Sequence, residues 1–430
     1  VRGERDMYLT IKQSYKPNKS ERKLLNLLCH ISKNIYNSYL YVYRYAYFNN
    51  IEYVDQLLNK KLYKNENFKL INQDTTKGIR KKVIVNMNNF KNGYIKIPKY
   101  LDKHAMFPIF VSTPTIITIK DDLYFKIPYA DLTKSSKIFQ TIFEDELINC
   151  FIKESALKES FEIFIKVPRH LYKKQIRGVT IKPKFNGLEY EILYSYIDDL
   201  KPLKLTKSFK NIMAIDLGIN NLASIIISNN KAFIIDGKHL KSINQYYNKQ
   251  IAHYCSIKPN NKKLTKKEFL IHKKRNNRTN DYINKASKQI IKIALENEVS
   301  EIIIGFNYNF KTKSLNLKKA NQLFKEIPLS KFKDLVISKA KKYSIKTSTI
   351  NESYTSLCSF YDNEDIKFHY KYQGTRISRG LFKTKNGIVV NADINAALNI
   401  LKKSKPERTD ILSFLRNSGQ AMPCRLKVIL

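Results

Sequence analysis

Apolar and polar positions alternate strictly in MYLTIKQSY at 7–15, the period of a half-buried strand. After Pro17, with a helix start expected around Ser20, the period changes. Leu24, Leu25, Leu28, Ile31, Ile35 and Leu40 recur at helical spacing and predict a long amphipathic helix with a basic, tyrosine-rich outer side. From about 93 to 200 short alternating runs return (GYIKIPKY, TIITIKDDLYFKIPY, FEIFIKVP, GVTIKPKF, LEYEILYSYI), with a more helical stretch near 140–158, and they predict a β-rich domain of barrel type. DDLKPLKLTKSFKN at 198–211 is polar, contains a proline and reads as a linker. Beyond it IMAIDLG and LASIII form a hairpin of strands and KAFIID a third strand, followed by a long basic helical stretch at 238–298. EIIIGF at 301–306 is a fourth strand, PLSKFKDLVISKAKKYS a helix, IKTSTI at 345–350 a fifth strand and NADINAALNILKK at 391–403 a last helix. Three strands, helix, strand, helix, strand is the order of an RNase H-like α/β fold.

One position breaks the apolar pattern. Asp216 sits in NIMAIDLGINNLASIII, a run that reads as a strand buried on both faces, where an unpaired carboxylate costs several kcal/mol by order of magnitude. An arginine, a hydrogen-bond network or a metal shared with other carboxylates could compensate it. Nucleases of this fold hydrolyse phosphodiesters with two divalent cations held by three or four carboxylates, the first of them mid-sheet on the first strand. Asp393, near the start of the last helix, fits a second ligand. A third is expected at the end of the fourth strand, but Gly305 stands there. Glu352 follows the fifth strand, and because neighbouring strands lie about 4.8 Å apart its side chain can span the gap. Asp362, Glu364 and Asp365 are weaker rivals in what reads as a loop.

Charge then narrows the class of partner. The chain has 430 residues, enough for two or three domains, and a formal net charge of +41. Such an excess calls for a polyanion. No run of about 18 apolar residues suggests a membrane span and no signal-peptide pattern precedes Met7, so nucleic acid is the expected partner and an intracellular compartment the expected setting. The 28 Tyr and 23 Phe supply faces for stacking on unpaired bases as well as core. Around KKLTKKEFLIHKKRNNR at 262–278, Lys262, Lys263, Lys266, Lys267, Lys273, Lys274, Arg275 and Arg278 are candidates for phosphate contact, together with Lys311, Arg376 and Arg379. Cys29, Cys150, Cys255, Cys358 and Cys424 contain no CxxC pair, which argues against a self-contained zinc site and against a disulfide framework. His30 and His253 are read as packing or capping residues.

DLGINNLA at 216–223, the basic helical segment ending NDYINKASKQII, SYTSLCSF and NADINAALNI together resemble the transposon-encoded TnpB family, related to Fanzor proteins and type V CRISPR effectors. The resemblance is strong over 205–403 and fair over 7–50, and it implies a multidomain α+β protein. A wedge-like N-terminal β-barrel (1–14 and 93–200) would carry a helical recognition insertion (15–92). A linker (201–211) would lead to a C-terminal RNase H-like (RuvC) domain (212–403) with a helical insertion at 238–298 and a degenerate zinc-finger-like insertion at 356–390, then a flexible tail (404–430). The implied activity is RNA-guided, Mg²⁺- or Mn²⁺-dependent DNA cleavage, with guide RNA from the transposon end and target double-stranded DNA as partners and no membrane association. Asp216 and Asp393 match the first and last RuvC acids. Gly305 departs from the pattern, and Glu352 matches the arrangement of relatives that place the glutamate later. The insertion's two CxxC pairs are reduced to Cys358, so zinc is not expected, and YKYQGTRISRGLFKTKNG should keep a β-hairpin by packing, leaving Arg376 and Arg379 free for phosphate. The alternatives are a nuclease-dead RNA-guided repressor, favoured by Gly305, and a guide-independent RNase H-like enzyme such as a resolvase or transposase.

Overall fold

In the computed structural model the chain divides into two compact units, residues 1–200 and 201–430. The structure describes residues 7–128 apart from 53, 56–57, 59–61 and 63–65, then 163–198, 209–258, 265–307, 327–378, 380–419 and 422–428. The helical stretch expected near 140–158, most of the linker, Cys150, Lys262, Lys263, Lys311 and Arg379 lie outside the described residues.

The first unit contains β1 (Met7–Tyr15), the helices α1 (Lys19–Phe48) and α2 (Gln73–Lys91), and the strands β2 (Ile109–Val111), β3 (Thr115–Ile119), β4 (Asp122–Lys126), β5 (Phe164–Lys166), β6 (Gln175–Lys184) and β7 (Glu189–Asp198). The helix α1 starts two residues earlier than Ser20 suggests. Asn18 accepts a hydrogen bond from the Glu21 backbone N–H while the Glu21 carboxylate accepts one from Asn18, a reciprocal cap. The described strands do not close the barrel that their alternation predicts. They form two antiparallel sheets, one of order β1-β7-β6-β2 and one of order β3-β4-β5. The reason lies in what covers the sheets. Leu24, Leu28 and Ile31 of α1 and Ile79 and Val83 of α2 enter the same core as Val179, Ile181, Ile192 and Tyr194, so helices bury the apolar faces that a barrel would bury against itself. Helical and β-rich segments therefore share one hydrophobic core.

The second unit is built on a six-stranded sheet of β8 (Asn211–Leu217), β9 (Asn221–Ile227), β10 (Ala232–Asp236), β11 (Val299–Gly305), β12 (Lys346–Ile350) and β16 (Pro423–Leu426). Its order is β12-β11-β8-β9-β10-β16. β9 runs antiparallel to β8 and β10, and the other neighbours are parallel. On one face lie α3 (Lys238–Ser256), α4 (Lys266–Glu296) and α5 (Leu329–Lys341), and on the other α6 (Ala392–Ser404) and α7 (Thr409–Asn417). The central strand is buried twice over: Met213, Ile215 and Leu217 join the core under α3–α5, Ile212 and Ala214 the core under α6. A three-stranded sheet of β13 (Thr375–Ser378), β14 (Leu381–Lys383) and β15 (Val389–Asn391) leads directly into α6, so the expected hairpin carries one further strand.

The described residues of 404–430 do not form the expected flexible tail. The helix α7 buries Leu412 and Leu415 in the α6 core, and β16 pairs with β10 from Ala232↔Pro423 to Ile235↔Leu426. The sequence signal here is short, a nine-residue helix that buries Leu412 and Leu415 and four strand residues, and it gains meaning only from the core and the sheet edge it meets. Leu415→Ala should cost about 2–4 kcal/mol in equilibrium unfolding by urea, whereas a free tail would show no change.

Candidate active site

Side-chain parity along the strands assembles the site. Alternate residues of a strand point to opposite faces, so Asp216 follows Ile212 and Ala214 onto the α6 face, and Gly305 follows Ile303 onto the same face. Ile350 also packs against that core, and Glu352 lies two residues beyond it, just past the end of β12. Asp393 comes from the opposite direction, in the first turn of α6, the helix that covers this face. Asp216, Glu352 and Asp393 thus line one open cleft of about 650 Å³, along with Asn221, Lys238, Asn307, Arg376 and Arg425.

The missing acid on β11 has a geometric explanation. Gly305 pairs with Ile350, and a Cβ placed at position 305 would lie 2.3 Å from the Cδ1 of Ile400 and 3.4 Å from a carboxylate oxygen of Glu352. The space that a side chain at 305 would enter is therefore filled from two sides, by a core isoleucine of α6 and by the glutamate arriving from the next strand. Glu352 brings its charge to the place where Gly305 brings none.

Two short sequence motifs hold the glutamate there. Its backbone carbonyl accepts hydrogen bonds from the Thr355 backbone N–H at 3.2 Å and the Thr355 hydroxyl at 2.8 Å, which closes a turn. Two asparagines of α6, Asn395 and Asn399, are fully buried and grip that turn and its continuation: Asn399 Nδ2 donates to the carbonyls of Thr355 and Cys358, Asn395 Nδ2 to Cys358, and Asn395 Oδ1 accepts from Phe360 N–H. Buried backbone groups need such partners, so SYTSLCSF and NADINAALN are two halves of one hydrogen-bonded joint. Asp393 is oriented separately. Asn391 caps α6 by accepting from the backbone N–H groups of Asp393 and Ile394, Asn221 Nδ2 donates to one Asp393 oxygen at 2.6 Å, and the Arg376 guanidinium donates to the other at 3.3 Å.

The electrostatics follow from this crowding. Burial pushes the Asp216 carboxyl well above the usual range, the charges of Glu352 and Asp393 raise it further, and Arg376 works against them. Burial alone raises Glu352 to about 7. Like charges held together in a desolvated place bind a proton or a cation more readily than isolated ones do. The donors are the hard oxygens that Mg²⁺ and Mn²⁺ prefer. Among the described residues no three acidic, histidine or cysteine side chains close around one point, and both Asp393 oxygens are occupied by Asn221 and Arg376. The donor set fits a divalent cation in kind, with Asp393 at present turned to its protein partners.

Residues 197–310 match the family OrfB_IS605, described as "Probable transposase", and residues 330–400 match the Cas12f1-like TNB domain. The "TnpB-like protein ORF457" of Acidianus two-tailed virus is 27% identical over 214 residues. That alignment takes in 47% of this chain and 44% of the viral protein, so this chain spans less than half of that relative's length. Residues 197–400 are thus similar to TnpB-family proteins. Among solved structures, the Cas12f1–sgRNA–target DNA complex is similar in fold, with a TM-score of 0.54 at 16% identity over 89% of this chain and 83% of that chain.

The other candidate residues separate into groups. Asp362 accepts from the Ser359 hydroxyl and the Lys385 backbone, while Glu364 is buried and accepts from the Ser359 and Gln373 backbone; both brace the insertion. Asp365 forms an exposed pair with Lys367. None of the three lines the cleft. Arg376, a candidate for phosphate contact, is paired with Asp393 in this structure. On α4, Lys266, Lys267, Lys274 and Arg278 are exposed. Lys273 leans over the Phe269 ring, and Arg275 is drawn into the α3–α4 contact by Asn244 Oδ1 at 2.8 Å and the Tyr247 ring. Sequence reasoning missed Asn221, Lys238, Asn307 and Arg425. Asn221 lay within DLGINNLA, where its spacing from Asp216 gave a signal, but nothing local marked Arg425.

The raised acids give the cation-free protein a definite pH dependence. An acid whose folded pKa exceeds its unfolded one binds its proton more tightly when folded, so its contribution favours folding on the acid side and is lost as pH rises through the folded value. For Glu352 that window runs from the ordinary 4.5 to about 7. Urea unfolding in EDTA should show Glu352→Gln more stable than the parent at pH 8, by up to on the order of 3 kcal/mol, with the difference shrinking toward pH 5. Equal curves for the two proteins would mean that Glu352 is not desolvated.

Proposed function

We propose that this chain is an RNA-guided DNA endonuclease of transposon origin, which cuts target DNA in the cleft of Asp216, Glu352 and Asp393 after a guide RNA pairs beside a short, protein-read motif. The observation that carries the reading is that three carboxylates, from β8, the end of β12 and α6, line one cleft, with Asp216 burdened by the charge of the other two. Asp216 and Glu352, with Asp393, would hold Mg²⁺ or Mn²⁺. Such ions supply an activated water and stabilise the leaving oxygen. Asn221 and Arg376 keep Asp393 oriented, and Lys238 presents positive charge to a phosphodiester entering the cleft. Lys266, Lys267, Lys274 and Arg278 offer sequence-independent neutralisation of backbone phosphates along α4. The guide would come from the transposon end, and the setting is intracellular, where both nucleic acids are. Among the described residues no helix is long and apolar enough to cross a membrane.

A nuclease-dead, RNA-guided repressor is the second reading, favoured by Gly305 and by the occupied oxygens of Asp393. Protein co-expressed with the DNA flanking its gene should purify with bound RNA, and with Mg²⁺ it should cleave a matching duplex. Asp216→Asn, Glu352→Gln and Asp393→Asn should each lower the single-turnover rate by at least ~10²-fold while guided binding persists. A parent complex that binds its target and leaves it intact selects the repressor; equal cutting by Glu352→Gln removes that residue from the site.

The insertion after β12 is proposed to hold its shape without zinc. Cys358 is buried with its thiol donating to the Asp365 carbonyl at 3.3 Å and the Lys367 carbonyl at 3.7 Å, and Phe382 and Val390 form a small core with Ala392. Elemental analysis should find less than a stoichiometric amount of zinc per chain, and EDTA should leave the melting temperature unchanged.

A further inference from the structure

We propose that Arg425, carried by β16, sets the orientation of Asp393 through Asn221, so that this edge strand is a working part of the cleft. The inference rests on the nuclease reading above, and it concerns a positioning residue. Arg425 Nη1 donates to Asn221 Oδ1 at 3.1 Å, and Asn221 Nδ2 donates in turn to Asp393 Oδ2 at 2.6 Å. Arg425 is itself held by Asp236, whose Oδ1 accepts from the same nitrogen at 3.3 Å. Three neighbouring strands supply this line of side chains: Asn221 opens β9, Asp236 closes β10, and Arg425 stands on β16 opposite Ile234.

The physical step lies in the amide. A side-chain amide has an acceptor end and a donor end, and it is held firmly only when each end meets a complementary partner. A guanidinium can only donate, so Arg425 claims the Oδ1 end and leaves the N–H end to Asp393. Without it the amide keeps its bond to Asp393 but loses its second anchor, so the Asn221 side chain and the carboxylate it holds can swing together. Arg425 also draws electron density toward Oδ1, which strengthens the Nδ2–H donor. Arg376 restrains the other oxygen of Asp393. The carboxylate is thus aimed by two segments that meet only in the folded protein, the insertion and the edge strand. Partners that orient a metal-ligating side chain typically change cation affinity or activity by about 10–100-fold when removed.

The test uses the full chain, with and without its RNA. Mn²⁺ affinity, read by calorimetry on the protein alone, should weaken about 10–100-fold in Arg425→Ala and equally in Asn221→Ala, and the double variant should be no weaker than either single one, because both break the same relay. Arg425→Lys, which keeps a donor on β16, should recover part of the loss. In the RNA complex the single-turnover rate should fall in parallel, while target affinity and the melting temperature in EDTA stay at the parent's values. Asn221→Ala leaves β16 untouched, so it decides the matter even if Arg425→Ala loosens the strand. Additive losses in the double variant, unchanged Mn²⁺ affinity, or an effect confined to target binding and its salt dependence would each overturn the proposal; the last would make Arg425 a plain phosphate contact. Because the Mn²⁺ measurement needs no cleavage, a chain that never cuts would refute the nuclease reading without deciding this one.

Discussion

A carboxylate held on a strand that is buried on both faces is the constraint around which the second unit is organised. Asp216 shares the α6 face of β8 with Ile212 and Ala214, and everything near it answers to its charge. The sheet needs Met213 and Ile215 on one side and Ala214 on the other to stay closed to water, so the acid is not solvated by opening the strand. It is instead placed near the strand's C-terminal end, where the cover of α6 gives way to a cleft. The same geometry that makes its ionised form costly prepares it for a divalent cation, since a desolvated group of oxygens loses little more by binding one.

This constraint also accounts for the exchange of position between Gly305 and Glu352. An acid on β11 would have to share its space with Ile400, which α6 needs for its own packing. Moving the glutamate one strand outward leaves that core intact and lets the carboxylate reach the same place from the rim. The displaced residue then lies beyond the end of a strand, where the ladder no longer fixes it. The joint between the Glu352–Thr355 turn and the buried amides of Asn395 and Asn399 supplies the rigidity that the strand would have given.

The strongly basic composition is a separate layer of organisation. Four of the candidate cations stand exposed on α4, where they leave the sheet undisturbed, while Arg275 and Arg376 are spent on internal contacts. Composition gives the class of partner because long-range attraction depends on summed charge. It does not tell which cation faces a phosphate and which pins a helix, because that depends on the neighbours each side chain meets.

Local pattern determined much of this protein. The two-sided apolar run of β8, the helical period of α1 and α6 and the order of elements in the second unit are properties of consecutive residues, and with strand spacing they put Asp216, Glu352 and Asp393 forward together as candidates, three residues that line one cleft. The tertiary structure decided the rest. Helices of the first unit cover the sheets whose alternation alone suggested a barrel, since alternation reports that one face is buried and not what buries it. Residues 404–430 read as a tail, yet α7 and β16 are ordered by a core and a sheet edge that lie elsewhere in the chain. Arg425 reaches Asn221 across 204 positions, a separation at which the chain itself carries no information about contact, because only the closing of the sheet brings the two together.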